Sequence, residues 1–296
     1  ALQMGGTIGQ CMGRTFRLDD RDLRVATLAG MAAFFSALFG TPLAATVFAI
    51  MVISIGVLYH VALYPSLLAA LVAYGVSVRL GVEPTRFTVA VPDQSVGMFV
   101  RVAALGVLCA LVSILFCKLM HGAGHLMKRI KNPWLRVICG GFAVIALTWV
   151  FGTDYNGAGM DIVTRAIEQE TVAVPWAFLL KLVFTAVTLA AGFKGGEVVP
   201  SFFVGAAFGC VAAGWLGLPA GFGAAMGLVS VFCGAVNCPL ASIILSVELF
   251  GSGDLLYFAM ACSISYLISG YCGLYSSQTI LYSKLRAEFI NVRTHE

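Results

Sequence analysis

The sequence predicts an all-α polytopic membrane protein. Of its 296 residues 60% are hydrophobic and only 11% are charged, whereas an average soluble domain is about a quarter charged. No Lys, Arg, Asp or Glu occurs in residues 25–78, 198–247 or 255–283, and each run is long enough for a membrane-spanning helix of about 20 residues. The 33 glycines favour closely packed helices over a β-barrel, whose strands alternate apolar and polar residues. These observations exclude a soluble globular protein.

Several apolar segments are too short to cross a bilayer of about 30 Å. In chain order the approximate segments are 2–13, 27–38, 42–58, 62–78, 98–119, 137–151, 175–192, 200–215, 221–233, 239–250 and 255–269. Short or Gly/Pro-interrupted segments at corresponding places in two halves are typical of inverted-repeat transporters, whose broken helices meet near the membrane midplane. We therefore expect broken and re-entrant helices.

An internal repeat supports this interpretation. The run GTPLAATVF, which begins at Gly40, aligns with the run NCPLASIIL, which begins at Asn237. Upstream of each run lies a Gly-x-x-x-Gly pair, and a further glycine beyond it is expected to continue the same small-residue face. These glycines are Gly5, Gly9 and Gly13 in the first half, and Gly205, Gly209 and Gly214 in the second. Chance recurrence of Pro-Leu-Ala in an Ala- and Leu-rich chain is the alternative. We predict a first inverted half at 1–81, a polar connector at 82–97 and a second half at 98–296.

The charges and cysteines indicate no further partner class. The net charge of +4 is carried by loops such as residues 14–24 and 128–136, and basic loops of a membrane protein usually set its orientation. A nucleic-acid partner is therefore not expected. The 9 cysteines include no CxxC pair and are interpreted as small buried hydrophobic residues. The first residue is Ala and no signal peptide is recognisable, so we expect the sequence to be N-terminally truncated.

The strongest candidate for a functional site is a glycine-rich loop. The run GFKGGEVVP, which begins at Gly192, ends in Pro200 and leads into an apolar helix, with Pro200 expected as the first helical residue. A helix that begins at membrane depth directs its free N–H groups and positive dipole end at the preceding loop. Glycine lets an ion approach that backbone closely. The loop therefore suggests an anion site, and an ordinary interhelical turn is the alternative.

Glu197 in this loop requires its own explanation. An ionised carboxylate among apolar segments costs about 2.5 kcal/mol or more on insertion scales, so Glu197 is expected to have a function or a partner. Desolvation raises the pKa of a carboxyl group, which allows proton exchange near neutral pH, whereas the neighbouring Lys194 acts in the opposite direction. A structural Lys194–Glu197 pair is the alternative.

Other polar residues are weaker candidates. His121 and His125 lie one helical turn apart, but we assign them to a surface connector and expect no metal site and no cofactor. Glu248 ends an apolar segment and is expected to accept hydrogen bonds from backbone N–H groups. A membrane-embedded enzyme that uses Lys194, Glu197 and Asp154 is a remote alternative, because too few polar residues converge for catalysis.

Four motifs in order resemble the CLC family of anion channels and transporters. The run LQMGGTIG from Leu2 is similar to the stretch that follows the family's gating-glutamate motif. The run GEVVP from Gly196 occupies the place of its second-half loop motif. The runs that begin with Pro42 and Pro239 resemble its paired Pro-Leu helices, and Tyr282 resembles its pore tyrosine in a final short helix. The resemblance covers about the C-terminal two-thirds of the length of a family member. It implies a CLC-type inverted repeat.

This resemblance implies a homodimer with one anion pathway per subunit. Carried over residue by residue, it places the backbone of Gly196, Glu197, Val198 and Val199 around the anion and the hydroxyl of Tyr282 at its inner side. The unaided alternative for Tyr282 is an interfacial belt tyrosine.

Two departures from the chloride-type pattern resemble the bacterial fluoride-exporting branch of the family. One is Glu197-Val198 in the loop, and the other is Val52, where chloride/proton antiporters of the family carry an internal proton-transfer glutamate. We therefore expect fluoride/proton antiport with Glu197 coupling the proton. A chloride channel or a chloride/proton exchanger is the alternative. The expected location is the cell membrane, multi-pass, of a prokaryotic inner-membrane type.

Overall fold

A computed structural model describes residues 2–90, 92–171, 174–286 and 288–294 of the chain. Within these ranges it contains twelve α-helices, one 3-10 turn and three short strands. The chain groups into two compact units. The first comprises Ala1–Phe87, Asn237–Leu255 and Tyr275–Glu296, and the second comprises Thr88–Val236 and Leu256–Leu274. The division into inverted halves stays a prediction, because these units are defined by packing and not by repetition.

The described part of the first unit contains five helices, and three of them pack against α2 or α3. The five are α1 (Leu2–Thr15), α2 (Asp20–Phe39), α3 (Pro42–Met51), α4 (Leu63–Arg79), preceded by a 3-10 turn at His60–Ala62, and α11 (Pro239–Phe250). Asp19 starts α2, because its side chain accepts hydrogen bonds from the N–H groups of Arg21 and Asp22. Helix α3 has only 10 residues and is about 15 Å long, half the thickness of a bilayer core. The short helices that the sequence predicts are therefore present.

The first unit also contains a small sheet that the sequence analysis did not predict. Strand β2 (Thr279–Tyr282) pairs in parallel with β1 (Ser54–Ile55) and antiparallel with β3 (Phe289–Arg293). Tyr282 thus ends a strand, and the expected short helix at this position was wrong. The run TILY is rich in β-branched and aromatic residues, which favour a strand when neighbouring backbone is available for pairing.

The second unit contains the remaining seven helices. They are α5 (Val96–Met127), α6 (Pro133–Phe151), α7 (Met160–Glu168), α8 (Ala177–Ala191), α9 (Val198–Leu216), α10 (Ala220–Val236) and α12 (Leu255–Ile268). Five helical stretches in the described part of the chain are long and apolar enough to cross a membrane. They comprise α2, α5, α6, α9 and the stretch His60–Arg79. The predicted polytopic helical architecture is confirmed.

Glycines set the distance between helices in a hairpin of each unit. A Cβ placed on Gly9 of α1 would lie 2.2 Å from the carbonyl oxygen of Ala26 on α2. A Cβ on Gly209 of α9 would lie 2.1 Å from the carbonyl oxygen of Gly223 on α10. Both distances are far below van der Waals contact, so only glycine allows these backbones to approach. The Gly-x-x-x-Gly pairs therefore have the packing role that the repeat predicted.

Two sequence expectations about other positions were wrong. Gly214 does not continue the packed glycine face, because nothing lies within 4 Å of a Cβ placed there. His121 and His125 lie on α5 and not in a surface connector, since this helix runs for 32 residues to Met127. The Nδ1 atom of His121 lies 2.7 Å from the carbonyl oxygen of Cys117, one turn earlier, which ties its ring to the helix.

Candidate functional site

The glycine-rich loop ends at an open helix N-terminus in the second unit. Helix α9 begins at Val198, two residues before the predicted start at Pro200, which therefore occupies a first-turn position where its missing N–H is tolerated. The first backbone hydrogen bond runs from the N–H of Ser201 to the carbonyl oxygen of Glu197. No side chain caps this helix end. The N–H groups of Val198 and Val199 consequently remain donors without a helical acceptor.

The loop leaves space beside this helix end. Nothing lies within 4 Å of a Cβ placed on Gly196, and the nearest atom to one on Gly195 is a methyl carbon of Leu189 at 3.0 Å. Gly192 ends α8 in the left-handed region with a φ of 104°, a conformation that favours glycine. Backbone donors with open space in front of them suit a small anion.

Glu197 is partly buried at the N-cap position of α9, outside the helix itself. Burial raises the pKa of its carboxyl group above the ordinary value, because desolvation penalises the charged form. The alternative of a structural pair is not observed, since no ion pair joins Lys194 to Glu197 in the ranges that the structure describes. Lys194 is exposed. Within the described ranges, Glu197 is thus a carboxyl group without a fixed partner beside the backbone donors of α9.

Lys181 is a polar residue near this helix that the sequence analysis missed. Its side chain on α8 is 1% exposed. The Nζ atom donates hydrogen bonds to the carbonyl oxygens of Tyr155 at 3.1 Å and Gly157 at 2.7 Å. It also lies 5.0 Å from the ring centroid of Phe203 on α9, which adds a cation–π contact. The signal was present, because a single lysine inside an apolar segment requires an explanation by default.

These contacts fix the loop that precedes α7. Tyr155 is buried and its ring lies 5.6 Å from that of Phe184 and 6.3 Å from that of Phe203. Gly159 adopts a φ of 72° and leaves no room for a side chain, because its Cβ would lie 2.7 Å from Phe203. Lys181 therefore anchors the connection between α6 and α7 to the second turn of α9.

Tyr282 lies in the first unit, at the end of β2. Its side chain is 46% exposed and packs against the backbone of Gly56, where a Cβ would lie 3.2 Å from that of the tyrosine. The ring of Phe289 meets the tyrosine ring edge to face, with 5.6 Å between centroids. No hydrogen bond engages the Tyr282 hydroxyl within the described residues, so the hydroxyl is available as a donor.

A cavity of about 440 Å³ lies in the same unit. It is lined by Leu281, Val57 and Tyr59 from the sheet region and by the polar side chains of Gln10, Asp20 and Arg24. Val52 is 6% exposed, and its carbonyl oxygen accepts a hydrogen bond of 2.8 Å from the Nε2 atom of Gln278. The Val52 position is thus apolar and fixed through its backbone.

Glu248 closes another helix N-terminus in the first unit. Its two carboxylate oxygens accept hydrogen bonds from the N–H groups of Leu43 at 3.0 Å and Ala44 at 2.8 Å. The carboxylate thereby satisfies the first turn of α3, which has no side-chain cap of its own. The prediction that Glu248 bonds backbone N–H groups is confirmed, and the N–H donors lie on a different helix. An anionic oxygen already occupies the position where α3 would bind an anion.

The predicted site residues therefore belong to two different units of the structure. Gly196, Glu197, Val198 and Val199 form one contiguous element in the second unit, whereas Tyr282 belongs to the first. Their joint role stays a prediction. The described residues contain no group of three or more His, Cys, Asp or Glu side chains arranged to hold a metal ion.

Comparisons with known proteins identify the family to which this sequence is similar. A family model described as voltage gated chloride channel matches residues 1–270. The chain is 39% identical over 294 residues to a chloride/fluoride channel protein of Pseudomonas syringae pv. tomato, covering 96% of this chain and 64% of that protein.

Solved structures give the same result. The crystal structure of a CLC-type fluoride/proton antiporter superposes with a TM-score of 0.90 at 35% identity, over 94% of this chain and 70% of that one. A slow cyanobacterial Cl⁻/H⁺ antiporter superposes with a TM-score of 0.74 at 20% identity, over 90% of this chain and 66% of that one, which shows the fold alone.

Proposed function

Because this chain belongs to the voltage gated chloride channel family, whose members are known as CLC proteins, we propose that it serves fluoride/proton antiport and exports fluoride. Relatives of this family are named for transport and not for catalysis. The chain spans 64% of the length of the Pseudomonas relative. The activity, substrate and partners of the whole protein are therefore proposed here. The chain itself is a multi-pass membrane protein of the prokaryotic inner-membrane type.

The observation that carries this proposal is the open N-terminus of α9 with Glu197 beside it. Fluoride is small and strongly hydrated, so a site must replace its hydration shell with several hydrogen-bond donors. The N–H groups of Val198 and Val199 lack helical acceptors, and Gly196 leaves room for an ion. In the proposed site these backbone donors hold the anion.

Glu197 is proposed to carry the proton. Its carboxyl group is partly buried, has a raised pKa and makes no ion pair with any described residue. A carboxyl group in such surroundings takes up a proton at a smaller cost than one in water. A negative Glu197 repels an anion at the α9 donors, whereas a neutral Glu197 does not. Alternation between these two states would couple anion movement to proton movement.

Val52 supports the fluoride branch over the chloride/proton branch. An antiporter that passes protons through an internal glutamate at this position needs an acidic side chain there, and this chain has an apolar one whose surroundings are closed. The fluoride/proton antiporter of known structure is 35% identical. Tyr282 is proposed to donate its hydroxyl hydrogen to the anion, because that hydroxyl has no partner in the described residues. We also propose that the protein is a homodimer and not an enzyme.

Efflux from proteoliposomes tests the function. Vesicles that contain the protein are loaded with fluoride or with chloride, and external anion and pH are recorded together. We expect fluoride efflux with opposite proton movement and little chloride flux. The Glu197→Gln variant is expected to lose proton movement, whereas Glu83→Gln, at an exposed loop carboxylate, is the matched control.

Other outcomes would contradict parts of the proposal. Chloride flux equal to or above fluoride flux would refute the fluoride assignment. Unchanged proton flux in Glu197→Gln would refute the role of that residue. Tyr282→Phe is expected to weaken fluoride binding only a few-fold, because backbone donors remain and a neutral hydrogen bond contributes about 1 kcal/mol.

A further inference from the structure

The second unit carries an unneutralised basic surface along the last third of α5 and the start of α6. We call this surface the basic connector. It consists of Lys118, Lys128, Arg129, Lys131 and Arg136. Residues 94–153 contain no Asp or Glu at all, so no carboxylate along these two helices balances the five charges. The other basic loop, at residues 14–24, has four arginines interspersed with three aspartates.

The basic side chains have no hydrogen-bond or ion-pair partners among the residues that the structure describes. Four of the five are exposed and Arg136 is partly buried. None of the five makes a hydrogen bond or ion pair through its side chain with any residue that the structure describes. Basic residues in the last turn of a helix interact favourably with its dipole, which accounts for Lys128 but not for the cluster.

Arg136 supplies a second and independent observation. Its Nε atom is buried and finds no acceptor in the described part of the chain. The guanidinium packs against the end of α8, since a Cβ on Gly192 would lie 3.5 Å from one of its terminal nitrogens. A buried guanidinium nitrogen without an acceptor is costly. An external oxyanion would remove this cost, because guanidinium binds phosphate through paired hydrogen bonds.

The position of the surface identifies the source of that oxyanion. Helix α5 has 32 residues and is about 48 Å long, so it extends well beyond a hydrocarbon core of about 30 Å. Helix α6 is apolar and only 6% of its spanning window is buried within the protein. Trp134 in its first turn is 79% exposed, as expected for an aromatic side chain at the level of lipid headgroups. The basic connector thus lies between water and lipid.

We propose that the basic connector binds the phosphate headgroup of an anionic phospholipid. Arg136 and Lys131 contact the phosphate beside Gly192, and Lys128 and Arg129 add electrostatic attraction from the end of α5. Clusters of four or more basic residues next to a membrane helix attract anionic lipid. The adjoining loop carries Lys194 and Glu197, so a lipid here would lie next to the proposed anion site. Lipid binding itself does not depend on the proposed transport function.

Fluorescence quenching by brominated lipid tests this proposal. Trp134 is kept as the single tryptophan, with Trp149, Trp176 and Trp215 changed to Phe, and the protein is reconstituted in phosphatidylcholine vesicles. We expect brominated phosphatidylglycerol to quench Trp134 at a mole fraction several-fold lower than brominated phosphatidylcholine. The variant K128Q/R129Q/K131Q/R136Q is expected to lose this preference. The variant R14Q/R17Q, in the charge-balanced loop, is the matched control and is expected to keep it.

Each other outcome would overturn the proposal. Equal quenching by both lipids in the starting protein would show that no anionic lipid is preferred. Equal loss of preference in both variants would assign it to overall charge and not to the basic connector. Relief of the preference by a few millimolar inorganic phosphate, at constant ionic strength, would indicate a site for free phosphate. Gel-filtration elution of each variant identifies those that fail to fold, and the single change R136Q then replaces the fourfold variant.

Discussion

Helices α3 and α11 begin with nearly the same backbone conformation but differ in the side chains at their ends. Each follows a residue in the left-handed region, Gly40 with a φ of 71° and Asn237 with a φ of 59°. The N-cap residues Thr41 and Cys238 have φ and ψ of −124° and 75° and of −121° and 73°, and a proline begins each helix. The repeat that the sequence indicated is therefore a repeat of backbone conformation. Few residues specify it: one that tolerates positive φ, followed by a proline two positions later.

The acidic residues that follow these prolines are not repeated. Nine residues after Pro239 lies Glu248, whereas nine residues after Pro42 lies Met51. Fifteen residues after each proline the chain has Asp254 in the second copy and Val57 in the first. As a result, Glu248 caps α3, and α3 has no carboxylate at its end to return to α11. Backbone geometry is thus repeated, while charge is specific to one copy.

Glycine contacts in the two hairpins upstream are the shared feature with the largest predicted energetic effect. In Gly209→Ala the new methyl group would lie 2.1 Å from the carbonyl oxygen of Gly223. Neither backbone can move without separating α9 from α10. We therefore expect the free energy of unfolding to fall by about 3 kcal/mol and little folded protein to be recovered. Gly214→Ala is the control on the same helix, because nothing lies within 4 Å. It is expected to be neutral or slightly stabilising.

The same change in the first unit tests whether the hairpins are equivalent. Gly9→Ala brings a methyl group to 2.2 Å from the carbonyl oxygen of Ala26. It is expected to lower the stability of the protein as much as Gly209→Ala does. The measurement is the melting temperature in detergent, with the folded fraction from gel filtration. A Gly9→Ala protein as stable as Gly214→Ala would show that close approach matters in one hairpin only.

Removal of the Glu248 carboxylate has the next largest expected effect. Glu248→Ala leaves the N–H groups of Leu43 and Ala44 without acceptors, which costs about 2 kcal/mol for hydrogen bonds to a charged group. Glu248→Gln retains one acceptor oxygen and is expected to recover part of the loss. Glu168→Ala, at an exposed residue of α7, is the control, and the melting temperature in detergent is the measurement. Equal melting temperatures for Glu248→Ala and Glu168→Ala would contradict a capping role.

The sequence predicted those features that depend on local pattern. The charge-free runs predicted membrane helices, and the glycine spacing predicted the close packing of α1 with α2 and of α9 with α10. The strand that ends at Tyr282 was not predictable in this way, because it forms only by pairing with other strands. The strand that contains Ser54 is distant in sequence, and the strand that contains Phe289 follows after a turn. Lys181 was missed because its partners are carbonyl groups of a loop, which leave no side-chain pattern.

Asp254 gives the smallest effect and the one with a pH signature. Its Oδ1 atom is buried without a hydrogen-bond partner in the described residues. Burial raises the pKa of this loop carboxyl from 3.8 to about 6. Between these two values the folded protein keeps a proton that the unfolded chain has released, so stability falls as pH rises from about 4 to about 6 and stays low above that. The first copy has Val57 at this position and pays no such cost.

Asp254→Asn removes the charge and should make the second copy resemble the first. We expect a melting temperature higher than that of the starting protein at pH 8, corresponding to a gain of about 1 kcal/mol in the free energy of unfolding. No difference is expected at about pH 2.5, below both pKa values, where Asp254 is neutral in the folded and in the unfolded protein. The exposed carboxyl group of Asp93 provides the control variant Asp93→Asn. A gain at about pH 2.5 equal to that at pH 8 would mean that packing and not charge separates the two residues. A loss at pH 8 would mean that ionised Asp254 has a stabilising partner, so that the two copies differ by a functional charge and not by a tolerated one.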